Sequence, residues 1–295
     1  MRQYLDLVDS ILTEGVQKGD RTGTGTHSLH NVHIKHNMKN GFPLLTTKNI
    51  PFRLIASENE FFIKGITDKK WLQERNNHIW DEWCTPEKVA YGHNEQIKAK
   101  MLAERDLGPI YGFQWRHFGA NYCGYDMDYT GQGVDQLKNL VSRLKTNPEC
   151  RRMLVTALNP VDQSKMALPP CHYVFHVLTR PGNTLEDKRI LDLSWKQRSV
   201  DTMLGLPFNI AGYGLILHLL AKETGMEEGV LTGDLGDTHI YSNHLEGAKE
   251  QLRRIPTELP QIVTDSFTTI FDWNYIDSKV EGYNPQGRIK FPIAV

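Results

Sequence analysis

Paired cysteines are missing from this chain. Cys84, Cys123, Cys150 and Cys171 are scattered with no CxxC spacing, which argues against a disulfide framework or a zinc knuckle. Long apolar runs are missing too. None approaches the ~20 residues that a membrane-spanning helix needs, and Met1-Arg2-Gln3-Tyr4-Leu5-Asp6 has no hydrophobic leader core. Neither sign of charge dominates: 34 Lys and Arg face 35 Asp and Glu in 295 residues, for a net charge of −1. No bulk field therefore favours nucleic acid or a membrane surface. No repeat or linker divides the sequence. These absences describe a reduced, cytoplasmic protein with one catalytic domain over 1–295, large enough for a substantial core, and a small surface subdomain around 84–131.

What is present centres on Leu168-Pro169-Pro170-Cys171-His172-Tyr173-Val174-Phe175. Two prolines cannot donate to a β-ladder, so they form a stiff mouth to an apolar strand. Cys171 is the first side chain held in fixed geometry there. A lone cysteine is commonly a core residue, but Gln197-Arg198-Ser199-Val200-Asp201 follows on the next strand, and an arginine near a thiol favours the thiolate.

Taken in order, Tyr4, Leu5, Val8, Ile11 and Leu12 recur at helical spacing up to Gly15. Asp20-Arg21-Thr22-Gly23-Thr24-Gly25-Thr26 is a polar turn that could meet an anion. His27, His30, His33 and His36 lie three apart around a strand at 29–34. That spacing sends them to alternate faces, so no metal site is expected. Residues 52–64 form a helix on which Glu58 is either solvated or a buried acid of raised pKa. Trp80 and Trp83 share one side of a helical turn, as core bulk or as a platform for a flat heterocycle. Residues 85–107 read as a surface excursion and 108–116 as an aromatic-rich turn. Val134, Leu137, Leu140, Val141 and Leu144 mark an amphipathic helix. Arg151 and Arg152 precede the strand 153–155, where adjacent residues point to opposite sides, so one could reach a partner subunit. A strand at 190–195 leads to Arg198, and 211–223 is a buried helix closed by Gly225. Residues 233–241 read as a glycine-rich approach displaying His239 and Tyr241. Another helix follows, and the tail 289–295 is apolar to its last residue, a docked strand or a flap.

Seven stretches, in order, carry a resemblance: Arg21-Thr22-Gly23-Thr24-Gly25-Thr26, Ile79-Trp80-Asp81-Glu82-Trp83, Gly108-Pro109-Ile110-Tyr111-Gly112, Met166-Ala167-Leu168-Pro169-Pro170-Cys171-His172, Gln197-Arg198-Ser199, Leu204-Gly205-Leu206-Pro207-Phe208-Asn209-Ile210-Ala211 and Asp237-Thr238-His239-Ile240-Tyr241. Each alone is weak, but together they resemble the thymidylate synthase family from about Tyr4 to Val295. The resemblance implies an α+β fold with a large mixed, mostly antiparallel twisted sheet forming a dimer face and flanked by helices. It also implies reductive methylation of dUMP, with 5,10-methylenetetrahydrofolate giving carbon and hydride and no metal. In that reading Cys171 attacks C6 of the base, and Glu58, with Tyr111 and His172, organises proton transfers. Arg198 binds the phosphate and keeps Cys171 a thiolate, and Arg21 joins it at the phosphate, with Arg151 and Arg152 donated across a homodimer. Asp201 is implied in catalysis and, with Gln197 and Ser199, in binding dUMP; Asn209 reads the O4/N3 edge of uracil, and His239 and Tyr241 hold the ribose. Lys48, Ile79, Trp80, Trp83, Leu168, Asp201, Leu204, Phe208 and the tail through Pro292, Ala294 and Val295 wall the folate.

The sequence departs from that family pattern at Pro51, at Asn59 and Glu60 after the acid, at Phe175-His176-Val177, at Lys196 and at Gly212. The alternative is a dUMP, less readily dCMP, hydroxymethylase of the same superfamily, in which water captures the methylene. A catalytically silent relative fits poorly with Cys171, Glu58, Arg198 and Asn209 together.

Overall fold

The computed structural model describes residues 1–293 apart from Arg21 and Leu185. Helix α1 (Arg2–Glu14) buries Tyr4, Leu5, Leu7, Val8 and Ile11, the stripe its periodicity predicts, and stops at Gly15. The strands β1 (Val16–Lys18), β2 (Thr26–Asn37), β3 (Leu154–Thr156), β4 (His172–Arg180), β5 (Ile190–Asp201) and β6 (Glu227–Tyr241) make one sheet in the order β1-β2-β6-β5-β4-β3. Every neighbouring pair is antiparallel except β5 with β6, which run parallel.

A parallel pair needs a crossover, and here it is α7 (Gly205–Thr224). From Leu206 to Ala221 nearly every residue of α7 is buried, as expected for a helix apolar on all sides. The helix packs on β5 and β6 and is covered in turn by α2 (Phe52–Ile63). It begins six residues before the sequence reading placed it, because its first turn carries Pro207 and Asn209, weak helix formers that the crossover nevertheless holds. It ends at Gly225 in the left-handed conformation, φ 68°, which glycine adopts without Cβ strain.

Two stretches read as irregular are regular. Residues 111–117 form α5 (Tyr111–His117), whose Tyr111 and Trp115 join the main core. The glycine-rich 233–241 lies inside the 15-residue strand β6. There Gly233 lets a neighbour approach: a Cβ would stand 2.5 Å from the indole of Trp195. Its glycines serve packing rather than turning. In the 84–131 region, α4 (Glu95–Ala103) follows a loop, and Phe113, Ala120 and Tyr129 make a small satellite cluster.

α6 (Gln136–Thr146) buries Leu137, Leu140, Val141 and Leu144. α3 (Lys70–Gln73), α8 (Leu245–Leu252) and the hairpin β7 (Gln261–Thr264) with β8 (Ser278–Glu281) complete the fold. α1 and α7 cover one face of the sheet. On the other, exposed His33, Lys35, Leu178, Arg180 and Lys196 occupy alternate positions, and Asp234 accepts from both His33 (2.7 Å) and Lys196 (2.8 Å). No described helix is long and apolar enough to cross a membrane.

Candidate active site

The site lies where the carboxyl ends of β5 and β6 meet the mouth of β4. Cys171 is clamped through its backbone. Its N–H donates to the Tyr111 hydroxyl at 2.8 Å, and its carbonyl accepts the Arg198 N–H at 2.8 Å. The Arg198 guanidinium closes the proline mouth, donating to the carbonyls of Pro170 (3.0 Å) and Pro169 (2.9 Å). Arg198 thus stands beside the thiol and favours its ionised form, as the sequence suggests. Burial nevertheless outweighs it, and with Asp201 nearby the Cys171 thiol is pushed up rather than down.

Glu58 rises from α2 into the same space. The residue keeps some surface, yet its carboxyl is enclosed, and that desolvation raises its pKa to about 7 against the pull of the Trp80 indole N–H at 2.8 Å. Glu58 is thus largely desolvated rather than on the open face that is the commoner place of a helical glutamate. Trp80 itself is buried, edge-on to Phe62 and Tyr111, so its polar edge orients Glu58. Trp83 instead stacks on Tyr91 at 5.4 Å. The two indoles do not share a helical face, since the segment around them is a series of turns.

His172 stacks on Tyr111 at 4.3 Å and meets the Tyr213 hydroxyl with Nδ1 at 2.9 Å. Burial lowers its pKa to about 3, so the ring is neutral. Tyr213 follows Asn209 by one helical turn of α7, a spacing that sequence reasoning could have used and did not. The Asn209 Oδ1 accepts from Gln197 Nε2 at 3.0 Å, and Gln197 also accepts from the Trp195 indole at 3.2 Å. Asp201 Oδ1 accepts the N–H groups of Met203 and Leu204, each at 3.0 Å, which ties the end of β5 to the start of α7.

Around this centre, Lys48 is buried, donates to the Met203 carbonyl and lies 4.7 Å from the Phe291 ring centroid. Burial lowers its pKa to about 8, against the pull of Asp201. Leu168, Leu204 and Phe208 are half-buried, and Ile79 is exposed. The described part of the tail, through Ile293, forms no strand but docks, with Phe291 packed on His244 at 5.1 Å and the Pro292 carbonyl accepting from His244 Nε2 at 2.6 Å. Among the described residues His244 Nδ1 has no hydrogen-bond partner, and it sits 4.0 Å from Asp201. His239 is buried with Nδ1 toward the Asp237 carbonyl, and Tyr241 stands 5.0 Å from its ring. Ser199 is half-buried on β5. Arg151 and Arg152 are exposed with no side-chain partner among the described residues. Arg21, Ala294 and Val295 lie outside those residues.

The unusual helix after Glu58 is explained by its partners. Asn59 donates to the Gly212 carbonyl of α7 at 2.9 Å, so two of the departures from the family pattern meet each other. Glu60, also buried, pairs with Lys64 at 2.5 Å and accepts the Tyr275 N–H at 2.8 Å.

A cleft of about 720 Å³ opens at the other end of α7, lined by Lys39, Lys222, Glu228, Thr264 and Phe267 among others. It is far along the sheet from Cys171 and holds none of the residues above.

Comparison with known proteins agrees with this geometry. A family model described as thymidylate synthase matches residues 2–295. The chain is 40% identical over 329 residues to the thymidylate synthase of Listeria monocytogenes, covering both chains entirely. It is 42% identical over 297 residues to that of varicella-zoster virus, covering 99% of this chain and 94% of the viral one. It is also 42% identical to the bifunctional dihydrofolate reductase-thymidylate synthase of Paramecium tetraurelia, where 99% of this chain spans 61% of the longer protein. With the fold, the clamped cysteine and these matches in agreement, the chain belongs to the thymidylate synthase family.

Proposed function

We propose that the chain converts dUMP to dTMP, with 5,10-methylenetetrahydrofolate as co-substrate and no metal. The observation that carries this reading is the convergence of Cys171, held at a rigid strand mouth beside Arg198, with the enclosed carboxyl of Glu58. Cys171 Sγ adds to C6 of the pyrimidine, sending the electron pair toward C5 and O4, and the S–C6 bond breaks as product forms. Glu58, titrating near neutrality, moves protons at the ring through water, and neutral His172 and Tyr111 orient that water. Asn209, with Oδ1 already accepting from Gln197, turns its amide N–H groups to O4 of uracil. The folate supplies one carbon and a hydride. Half-buried apolar side chains, the Trp80 and Trp83 region and the Lys48 ammonium suit a flat heterocycle bearing carboxylates.

Arg198 and Arg21 take the phosphate, joined by Arg151 and Arg152 of a second copy. The guanidinium groups of Arg151 and Arg152, without side-chain partners among the described residues, and the exposed positions Lys35, Leu178 and Lys196 on the sheet support a two-fold homodimer through that face. Asp201, His239 and Tyr241 complete the nucleotide side, and the docked tail excludes water.

Product analysis with purified protein, dUMP and methylenetetrahydrofolate tests the reading, following nucleotide mass and folate redox state together. Thymidylate with dihydrofolate is expected. Hydroxymethyl-dUMP with tetrahydrofolate would replace methylation by hydration.

A further inference from the structure

Lys69 is a charged side chain where the fold offers it no water. It is 1% exposed, yet its ammonium donates to three backbone carbonyls: Asp81 (3.1 Å), Trp83 (2.8 Å) and Met101. Among the described residues no carboxylate forms an ion pair with it, although those of Asp81 and Glu104 act on it from farther away. An ammonium has three donors, and all three are used. Desolvating a cation is costly unless its hydrogen bonds are replaced, so the bonds must hold something.

What they hold is the segment carrying Ile79, Trp80 and Trp83. Its amino end is tied to α2 by Asn77, whose amide donates to the Leu54 carbonyl (3.0 Å) and the Ser57 hydroxyl (2.9 Å). Its carboxyl end has Lys69, through the carbonyls on either side of Glu82. Trp80, between the two anchors, aims its indole N–H at Glu58. The third bond, to Met101, fastens the end of α4 to the same point.

We propose that Lys69 is a positioning residue for the cofactor wall and, through Trp80, for Glu58. This rests on the roles given above to Trp80 and Glu58. Losing the ammonium leaves the buried Met101 carbonyl and the half-buried Asp81 and Trp83 carbonyls without this donor and frees the turn to drift, so the folate wall loosens and the Trp80–Glu58 bond lengthens. That bond favours the carboxylate, and without it the Glu58 pKa moves further up.

The test compares Lys69→Met, Lys69→Arg and Trp80→Phe in the full-length protein. Measurements are the folate affinity by tryptophan fluorescence, the KM for folate and for dUMP, and the pH dependence of kcat. Lys69→Met is expected to weaken folate binding about tenfold with the dUMP KM unchanged, and to move the limb set by Glu58 upward, as Trp80→Phe does. Lys69→Arg, which keeps charge and donors, restores part of both. If Lys69→Met lowers only the melting temperature and leaves folate affinity and the pH limb unmoved, the inference is overturned. If Lys69→Met fails to fold, Lys69→Gln, which removes the charge and shortens the side chain, decides by the same two readouts, wild-type values for both overturning the inference. A pH limb unmoved by Trp80→Phe would instead sink the Glu58 reading, and folate affinity alone then decides for Lys69.

Discussion

The two ends of α7 are both lined with buried polar groups and behave differently. At the far end, the Trp273 indole donates to Ser278 (3.0 Å), Ser278 bonds Thr264 (2.7 Å), Thr264 bonds His218 Nε2 (2.9 Å), and His218 Nδ1 meets Glu228 (2.6 Å). Every donor in that chain meets an acceptor, from the Trp273 indole N–H, which only donates, through Ser278, Thr264 and His218 to the Glu228 carboxylate, which only accepts. At the near end the partners run out. Glu58 has the single Trp80 bond, Cys171 Sγ has none among the described residues, and burial moves both titrations upward. A saturated network is rigid and quiet, whereas unsatisfied groups facing a pocket are available to a substrate.

That contrast can be broken first at Cys171. Cys171→Ser should reduce turnover by at least about 10⁴-fold while dUMP still binds in equilibrium measurements; substantial residual turnover would remove the covalent step. Glu58→Gln comes next, with kcat falling roughly 10²- to 10⁴-fold. It also carries a stability signature of definite sign. A carboxyl whose folded pKa is near 7 and whose unfolded pKa is near 4.5 stays protonated in the native state while the unfolded chain ionises. Its contribution is present below pH 4.5 and is lost as pH rises toward 7, so the wild type weakens over that window. Glu58→Gln should flatten this part of the stability–pH curve and gain up to about 3 kcal/mol above pH 7. An unchanged urea midpoint across pH 5 to 8 would contradict the enclosed carboxyl.

Asn209→Asp is expected to shift preference from dUMP toward dCMP by about tenfold in kcat/KM, since a carboxylate accepts where the amide donates. Unaltered preference would take Asn209 out of base reading. The smallest effect on chemistry belongs to the far end: Glu228→Leu leaves His218 Nδ1–H unpaired and should cost about 1–3 kcal/mol in denaturant unfolding with kcat unchanged. A fall in kcat of the size seen for Glu58→Gln would mean the two ends are coupled.

Much of the site was legible before the fold. The Pro169-Pro170-Cys171 mouth and Arg198 after the next strand are local patterns, and local patterns survive folding; Asn209 and the role of Glu58 came only with the resemblance. The α1 and α6 stripes were legible for the same reason, because a 3.6-residue period states which face is buried. Long-range facts were not legible. Whether Glu58 is solvated, whether the glycines of 233–241 turn or pack, and where Lys69 sends its ammonium depend on neighbours 12 to 38 positions away in the chain. The resemblance supplied roles for several residues, but not the contact between two of the departures: Asn59 donates to the backbone carbonyl of Gly212, a long-range bond between two helices.

By itself, the sequence determined which side chains can do chemistry and roughly which elements carry them, since residue type and spacing are local properties. Only the tertiary structure decided their protonation and their availability. Burial raises Cys171 and Glu58 and lowers His172 and Lys48, and desolvation is set by everything that packs around a group rather than by the residues beside it.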